Sequence, residues 1–298
     1  MKKRLLDLSG KIDRLLVDLF ENIAKAAENI SAPFFVVGAT ARDIILKYGY
    51  GIETIRATND IDIGVEVSDW DQYNNLRKGL VATGKFETSN EPQRLRYQES
   101  LIIDIIPFGA IADSGGSFFW PPNDEVEMNT LGFGESYQDA LTVRLKRKPD
   151  LDIKFASPAG LALLKLISWN DRWSETSKDA KDLALLMRTH IEAGNEERLF
   201  AQESDLIEIL KETGGFDYQR ASARLLGRDI SAITSSETRE KLLRILEEET
   251  DEQGHYTLVR HMTDIHGGSN SDYEENLVLV GELKAGLMEG PSKSKRQV

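Results

Sequence analysis

The sequence predicts an α/β half, a mixed sheet with flanking helices, followed by an all-helical half. Three observations carry that expectation. Apolar and polar residues alternate strictly over Asp60–Val67. Short β-rich runs bounded by Gly, Pro or polar residues recur as far as residue 155, and from Ala159 to about Leu287 the apolar period is helical while strand signals vanish. The 298 residues suit about two domains at roughly 150 residues each. The border is expected near residue 157, giving domains over 1–156 and 157–287 and a flexible tail over 288–298, whose Pro291–Val298 stretch is polar and basic.

Taken in order, Leu15, Leu16, Leu19, Ile23 and Ala26 recur at helical spacing and predict a leading amphipathic helix over Lys11–Asn29, ended by Ser31-Ala32-Pro33. Phe34–Val37 reads as a short buried strand delivering the chain to a turn at Gly38, with a helix over Ala41–Tyr48 after it. Asp60–Val67 is a strand with one solvated face, and a helix over Ser68–Val81 takes Ser68 or Asp69 as its cap. Strands follow at Lys85–Thr88, Arg94–Gln98 and Leu101–Ile106, the last stopped by Pro107. Ala112–Asn123, rich in Gly, Ser and Pro, is expected to be a loop, and Leu141–Lys146 with Leu151–Phe155 a closing hairpin.

Composition excludes several classes of function. With no cysteine, the chain has no disulfide framework, thiol nucleophile or iron–sulfur cluster, and a cytoplasmic home is the default. The basic start MKKRLL is interrupted by Asp7, Lys11, Asp13 and Arg14 before it could form a signal-peptide core. Nothing approaches the ~20 apolar residues of a membrane span; Ala32–Ala41 and Leu101–Ala112 are too short. With 37 Lys+Arg against 50 Asp+Glu, the net charge of −13 argues against general binding of duplex DNA, which rests on Lys and Arg neutralising phosphates.

Three aspartates break the β-propensity of their strands: Asp60, Asp62 and Asp104 sit among Ile and Val. Alternation puts Asp60 and Asp62 on one face about 7 Å apart, and a neighbouring strand can bring Asp104 beside them. Three convergent carboxylates make a hard oxygen site suited to Mg²⁺ shared with substrate phosphates, the layout that two-metal phosphoryl or nucleotidyl transfer uses. The alternative is that the pair is only the solvent side of a half-exposed strand. Gly38-Ala39-Thr40 between a buried strand and a helix supplies N–H groups and a hydroxyl suited to a phosphate.

The strings Val36–Asp43, Thr58–Ile63 and Ile103–Gly109 resemble the nucleotidyltransferase domain of the DNA polymerase beta superfamily, whose signature is a Gly-Gly or Gly-Ser turn, an Asp-x-Asp strand and a third strand Asp. The resemblance implies that residues 1–156 form a catalytic domain in which Gly38 and Thr40 help hold the NTP phosphates. Asp60 and Asp62 would ligate two Mg²⁺ ions, and Asp104 would ligate the catalytic one and assist deprotonation of the acceptor hydroxyl. Here Ala39 stands at the second turn position, so Thr40 must supply the hydroxyl, and the longer gap to Asp60 is absorbed around Gly49–Asn59. Lys165–Arg172 followed by Lys178–Leu183 resembles the helical motif of AbiEii-type abortive-infection toxins. That resemblance implies that the helical domain closes over the nucleotide, that Lys165 neutralises triphosphate charge, and that Asp179 and Asp182 orient the basic groups or the substrate. A solvated helix face is the alternative for these three. Gly38–Asp43 also resembles an element of CCA-adding tRNA nucleotidyltransferases, but the Arg-Arg element of those enzymes is absent; Arg42 is structural or close to the phosphates.

Other features are weaker. His255, His261 and His266 lack the spacing of a helical metal pair, and His190 reads as a helix C-terminal dipole partner. Trp169 and Trp173 share a helix face, for core packing or base stacking. Phe118-Phe119-Trp120-Pro121-Pro122 flanks the site, marks a partner surface or covers the sheet edge. Arg94, Arg96, Arg144, Lys146, Arg147 and Lys148 make a candidate basic rim. The expected function is Mg²⁺-dependent transfer of an NMP from an NTP to an acceptor hydroxyl, by an AbiEii-like toxin acting on tRNA, with an antitoxin as a further partner. Transfer to a protein or to a small molecule such as an aminoglycoside, and a non-catalytic nucleotide-binding scaffold, are the alternatives.

Overall fold

A computed structural model describes residues 5–54, 60–122, 126–212, 215–251, 254–263 and 270–290, without the side chains of Asn270 and Ser271. The basic start at 1–4, Thr58 and Asn59 of the second motif, His266 and the 291–298 stretch lie outside the described residues. The chain divides between Ser157 and Pro158 into two compact units.

The first unit begins with β1 (Leu6–Asp7) and α1 (Arg14–Asn29). Asp13 caps α1 by accepting from the Leu15 N–H at 2.7 Å. Next come β2 (Phe34–Val37), α2 (Gly38–Asp43), a π-helical turn over Ile44–Gly49, β3 (Asp60–Glu66) and α3 (Trp70–Ala82), capped by Asp69. The expected helix over Ala41–Tyr48 thus starts at Gly38 and widens at its second turn. Ile44, Ile45 and Leu46 are all buried there, and a wider turn gathers three consecutive apolar side chains into a narrower arc than an α-helix does. The unit continues with β4 (Phe86–Thr88), β5 (Arg94–Tyr97), β6 (Leu101–Phe108), β7 (Ser117–Phe119), β8 (Glu127–Asn129), α4 (Phe133–Asp139), β9 (Leu141–Lys146) and β10 (Leu151–Phe155). The eight-stranded sheet runs β1-β9-β10-β2-β3-β6-β5-β4, parallel at β1/β9, β10/β2 and β3/β6 and antiparallel elsewhere.

Pro107 does not stop β6. Ile105 donates its N–H to Gln93 O at 2.9 Å, the last bond on the β5 side. Two residues on, Pro107 faces that same side past the end of β5, where the missing N–H breaks no ladder bond. The Ala112–Asn123 loop carries β7, a strand too short to announce itself. Phe118 and Trp120 are buried against Trp70 at 5.4 and 5.5 Å between ring centres, so this cluster covers α3 beside the sheet.

The two faces of the sheet differ. Ile61, Ile63 and Val65 alternate inward on β3 with Asp60, Asp62 and Gly64 on the other face. Phe155, the register partner of Val36, meets Phe20 of α1 edge-on at 5.7 Å. On the opposite face Phe35 packs edge-on against Phe108, Phe133 and Tyr137. The aspartates share this second face, one end of which is therefore sealed by aromatic rings.

The second unit is helical: α5 (Pro158–Arg172), α6 (Lys178–Thr189), α7 (Glu196–Ala201), α8 (Ser204–Glu212), α9 (Tyr218–Ile233), α10 (Ser236–Glu248), α11 (Thr257–Met262) and α12 (Asn270–Glu289). Gly227 and Gly286 let the backbones of α9 and α12 touch; a Cβ on either would strike the other helix. Charges line this seam, with Arg220 and Arg224 on Glu282 and Arg224 and Arg228 on Glu289. The bonds to Glu289 explain why α12 runs two residues past the expected end of the helical domain at 287. No helix among the described residues is long and apolar enough to cross a membrane.

Candidate active site

Sheet register assembles the site. Val37 on β2 pairs with Asp62 on β3, Asp62 pairs with Asp104 on β6, and Asp104 pairs with Arg94 on β5. One rung across four strands thus carries two carboxylates and a guanidinium on a single face, since paired residues project together from a sheet. Asp60, two residues before Asp62, joins them on that face and is exposed, while Asp62 is half-buried.

Gly38 follows Val37 with φ +66°, a left-handed conformation that side chains disfavour. A Cβ there would also strike the Asp62 carboxylate, 3.0 Å from its Cγ. The glycine is required twice, by the turn and by the carboxylate packed on it. No side chain caps the start of α2, so its first N–H groups lack the usual side-chain acceptor. Thr40 is buried, and its hydroxyl donates to the Asp60 carbonyl at 3.2 Å. Its place is therefore to tie the turn to the start of β3. Arg42 is 2% exposed, with Nε donating to Asp43 at 2.8 Å; its guanidinium is interior and offers no open face to a phosphate.

Asp104 is engaged. Arg94 grips it with Nε on one oxygen and a terminal nitrogen on the other, both at 2.8 Å, and a further Arg94 nitrogen lies 2.8 Å from Glu91. The bonds to Asp104 hold the guanidinium pKa above even its ordinary value. No group of three acidic or histidine side chains among the described residues stands ready to hold a metal. Asp60 and Asp62 nevertheless fit Mg²⁺, which takes one or two carboxylates and fills its other positions with water and substrate phosphate; the missing Cβ at Gly38 is what gives the Asp62 carboxylate its place beside the turn. Both oxygens of Asp104 are held by Arg94.

Arg94 was foreseen only as part of a rim. The signal that locates it is hairpin arithmetic, because counting outward from the Tyr97↔Leu101 pair gives Arg94↔Asp104. The turn hides it: Gln98 and Glu99 both take positive φ, positions where Asn or Gly is the usual sign. Arg96 stays with Arg94 on β5, on the rung that runs through Ile102 to Asp60, whereas the β9 part of the rim lies elsewhere. Arg144 pairs with Asp150 and Asp152, Lys146 with Glu21 and Arg147 with Asp7, at the β9 side of the sheet.

In the helical unit Lys165, Asp179 and Asp182 do come together. Lys165 Nζ lies 2.8 Å from Asp179 and 2.7 Å from Asp182, with 13% of the lysine side chain exposed and 1% and 5% of the aspartates. Arg172, whose role the sequence did not reveal, adds a second cation to Asp179 at 2.8 Å. Burial works against the charge on Lys165 and on Asp179, yet their mutual attraction outweighs it: the lysine titrates above and the aspartate below the ordinary value.

An Asp-x-Asp strand beside a glycine turn, with a third aspartate in register on a mixed sheet, defines a nucleotidyltransferase of polymerase-beta-like fold. Residues 23–253 match the model of a family described as nucleotidyl transferase AbiEii toxin, type IV TA system, and the chain belongs to that family of nucleotide-transferring enzymes. Among solved structures it is similar to the antibiotic-resistance factor ANT(2'')-Ia, at 13% identity over 68% of this chain and 100% of that one, TM-score 0.34. The lincosamide antibiotic adenylyltransferase LnuA gives 17% identity over 59% and 96%, TM-score 0.35. The Thermotoga maritima CCA-adding enzyme complexed with tRNA gives 15% over 95% and 83%, TM-score 0.32. A comparison with curated proteins found no match.

Proposed function

We propose that the chain moves a nucleoside monophosphate from an NTP to a hydroxyl of tRNA in the cytoplasm, in a Mg²⁺-dependent reaction restrained by an antitoxin partner. The observation that carries the reading is the rung Val37–Asp62–Asp104–Arg94 with Gly38 packed on Asp62. In the reaction the acceptor oxygen bonds to the α-phosphorus, the bond from that phosphorus to the bridging oxygen breaks, and pyrophosphate leaves. Backbone N–H groups at Gly38 and Ala39 hold phosphate oxygens at the start of a helix. Asp60 and Asp62 would hold Mg²⁺, with Asp104 joining once freed, and the ions would supply charge neutralisation on the phosphates. Asp104, released from Arg94, takes the proton of the attacking hydroxyl, and Arg94 is then free to pair with a substrate phosphate. Thr40 acts by fixing the turn. Lys165, Asp179 and Asp182 enter as a brace of the helical unit, because the lysine charge is already consumed by its two aspartates.

The test is incubation of the purified chain with each NTP labelled at the α-phosphorus, Mg²⁺ and total cell extract, followed by separation of RNA, protein and metabolites. Label is expected in the tRNA fraction and is expected to vanish in Asp60→Ala/Asp62→Ala. Label in protein or in metabolites would overturn the acceptor, and equal labelling by the double variant would overturn the site.

A further inference from the structure

The order of strands across the sheet gives each reactant its own side of the site. The turn at Gly38 lies at the end of β2, Asp60 and Asp62 are on β3, and Asp104 is beyond them on β6. In-line displacement at phosphorus keeps the attacking and leaving oxygens on opposite sides. With pyrophosphate leaving over the turn at Gly38, the acceptor hydroxyl enters from the side of β6 and β5.

That side carries a second rung. Asp60 on β3 pairs with Ile102 on β6, and Ile102 with Arg96 on β5, so Arg96 shares the face of the aspartates. Strands ~4.8 Å apart put its Cα about 10 Å from that of Asp60 and, on the diagonal, about 7–8 Å from that of Asp104. An extended arginine side chain covers much of such a distance, which brings the guanidinium within reach of whatever rests on Ile102.

Arg96 differs in state from the other arginines and lysines of the basic rim. Arg94 is bound to Asp104 and Glu91, and Arg144, Lys146 and Arg147 all meet carboxylates. Arg96 is exposed, and among the described residues no hydrogen bond or ion pair reaches its guanidinium. Even Glu87, its register partner on β4, forms none with it. Ile102, between Asp60 and Arg96, is half-buried, an apolar floor with carboxylates on one side and an unneutralised cation on the other.

Such a floor suits an acceptor whose hydroxyl and anionic group sit on opposite sides of a compact, weakly polar body. A nucleotide within an RNA strand has that form, a ribose with a hydroxyl on one side and a phosphodiester on the other, and arginine matches phosphate oxygens with paired N–H donors. A serine or tyrosine side chain, or a neutral sugar, brings no anion beside its hydroxyl and would leave Arg96 unused. We propose that Arg96 holds the phosphodiester next to the attacking hydroxyl, with the ribose over Ile102 and the hydroxyl at Asp104, and so selects a polynucleotide acceptor. This rests on transfer to tRNA and adds the residue that recognises the acceptor.

The experiment compares the full chain with Arg96→Gln and Arg96→Lys, substitutions at an exposed position that are not expected to disturb folding. Binding of labelled tRNA without NTP is followed by fluorescence anisotropy over a series of KCl concentrations. Arg96→Gln is expected to bind about tenfold more weakly, with a salt slope smaller by about 0.7, the loss of one phosphate contact to a single strand; Arg96→Lys is expected to keep the wild-type slope. In transfer from α-labelled NTP, the KM for tRNA is expected to rise about tenfold in Arg96→Gln, against much smaller changes in kcat and in the KM for NTP. Labelled tRNA with KM and salt slope both unchanged in Arg96→Gln would overturn the contact and leave the transfer standing. A reduced slope without any labelling of tRNA would overturn the transfer and leave the contact standing. A wild-type chain that does not bind tRNA, or an Arg96→Lys chain that behaves as Arg96→Gln does, would overturn the contact.

Discussion

Replacing Lys165 by Met tests whether the helical cluster is a brace or a nucleotide ligand. The ammonium lies within 2.8 Å of two carboxylates that are 1% and 5% exposed. Asp179 keeps Arg172 at 2.8 Å, so Lys165→Met removes the one cation that Asp179 and Asp182 share, and breaking a buried pair by removing one partner costs about 3–5 kcal/mol. With a urea dependence of ~2 kcal/mol per molar, that is a fall of about 2 M in the midpoint of the affected transition. Followed by far-UV circular dichroism, Lys165→Met should show this loss, and Lys165→Met/Asp182→Leu should recover at least half of it, because an apolar replacement of both partners leaves no stranded charge. The pH dependence has a definite sign. The depressed Asp179 contributes stability above its unfolded pKa that is lost as pH falls through its folded value, while the raised Lys165 contributes below its unfolded pKa and is lost as pH rises through its folded value. A loss under ~1 kcal/mol together with weakened NTP binding would refute the brace and restore the nucleotide ligand.

Three further outcomes are expected. Gly38→Ala should cost about 1–3 kcal/mol for the left-handed backbone and, by pushing Asp62 aside, should lower nucleotide transfer more than thermal stability; normal transfer would show that the cradle does not need its glycine. Asp229, whose burial is outweighed by bonds to His190 and Arg198, titrates at about 2. It therefore contributes ~2 kcal/mol above its unfolded pKa that disappears as pH falls from about 4 to 2, and Asp229→Asn should flatten that limb of a stability profile. Trp120→Ala removes an indole packed on Trp70, Tyr73 and Phe118; a loss of about 3–5 kcal/mol with turnover per folded molecule unchanged is expected, and reduced turnover would return this cluster to the active site.

The α/β half was legible where the period of the sequence and the chemistry coincide. Asp60–Glu66 shows its strand because Ile61, Ile63 and Val65 must face the core, and the same alternation sends both aspartates to the other side. β1, β7 and β8 were not legible, since two or three residues carry no period and their pairing is decided by distant strands. α4 has the sequence Phe-Gly-Glu-Ser-Tyr-Gln-Asp, whose few apolar positions mean little until Phe35 and Phe108 are beneath them. Lys165, Asp179 and Asp182 could be named, but whether an i, i+3 acid pair faces water or a lysine depends on how α5 packs on α6. The basic rim divided for a related reason: Arg94 and Arg96 share the face of the aspartates, while Arg144, Lys146 and Arg147 meet carboxylates at the β9 side, which charges counted along the chain do not reveal.

Arg94 joins these threads, because its position is over-determined by the strand that carries it. Leu95 and Tyr97 are fully buried on the face opposite Arg94 and Arg96, so β5 can pair with β6 in registers differing only by even steps. A slip of one residue would drive both arginines into the core and both apolar side chains onto the carboxylate face. A slip of two would keep the faces but set Arg96 or Pro92 opposite Asp104, and the turn at Gln98-Glu99, with its Ser100 N–H donating to Tyr97 O, fixes the count. The hydrophobic core under β5 therefore sets which cation meets the third aspartate. That is the physical route by which residues with no chemistry of their own, Leu95 and Tyr97, decide that Asp104 is held as a paired carboxylate rather than left open beside Asp60 and Asp62.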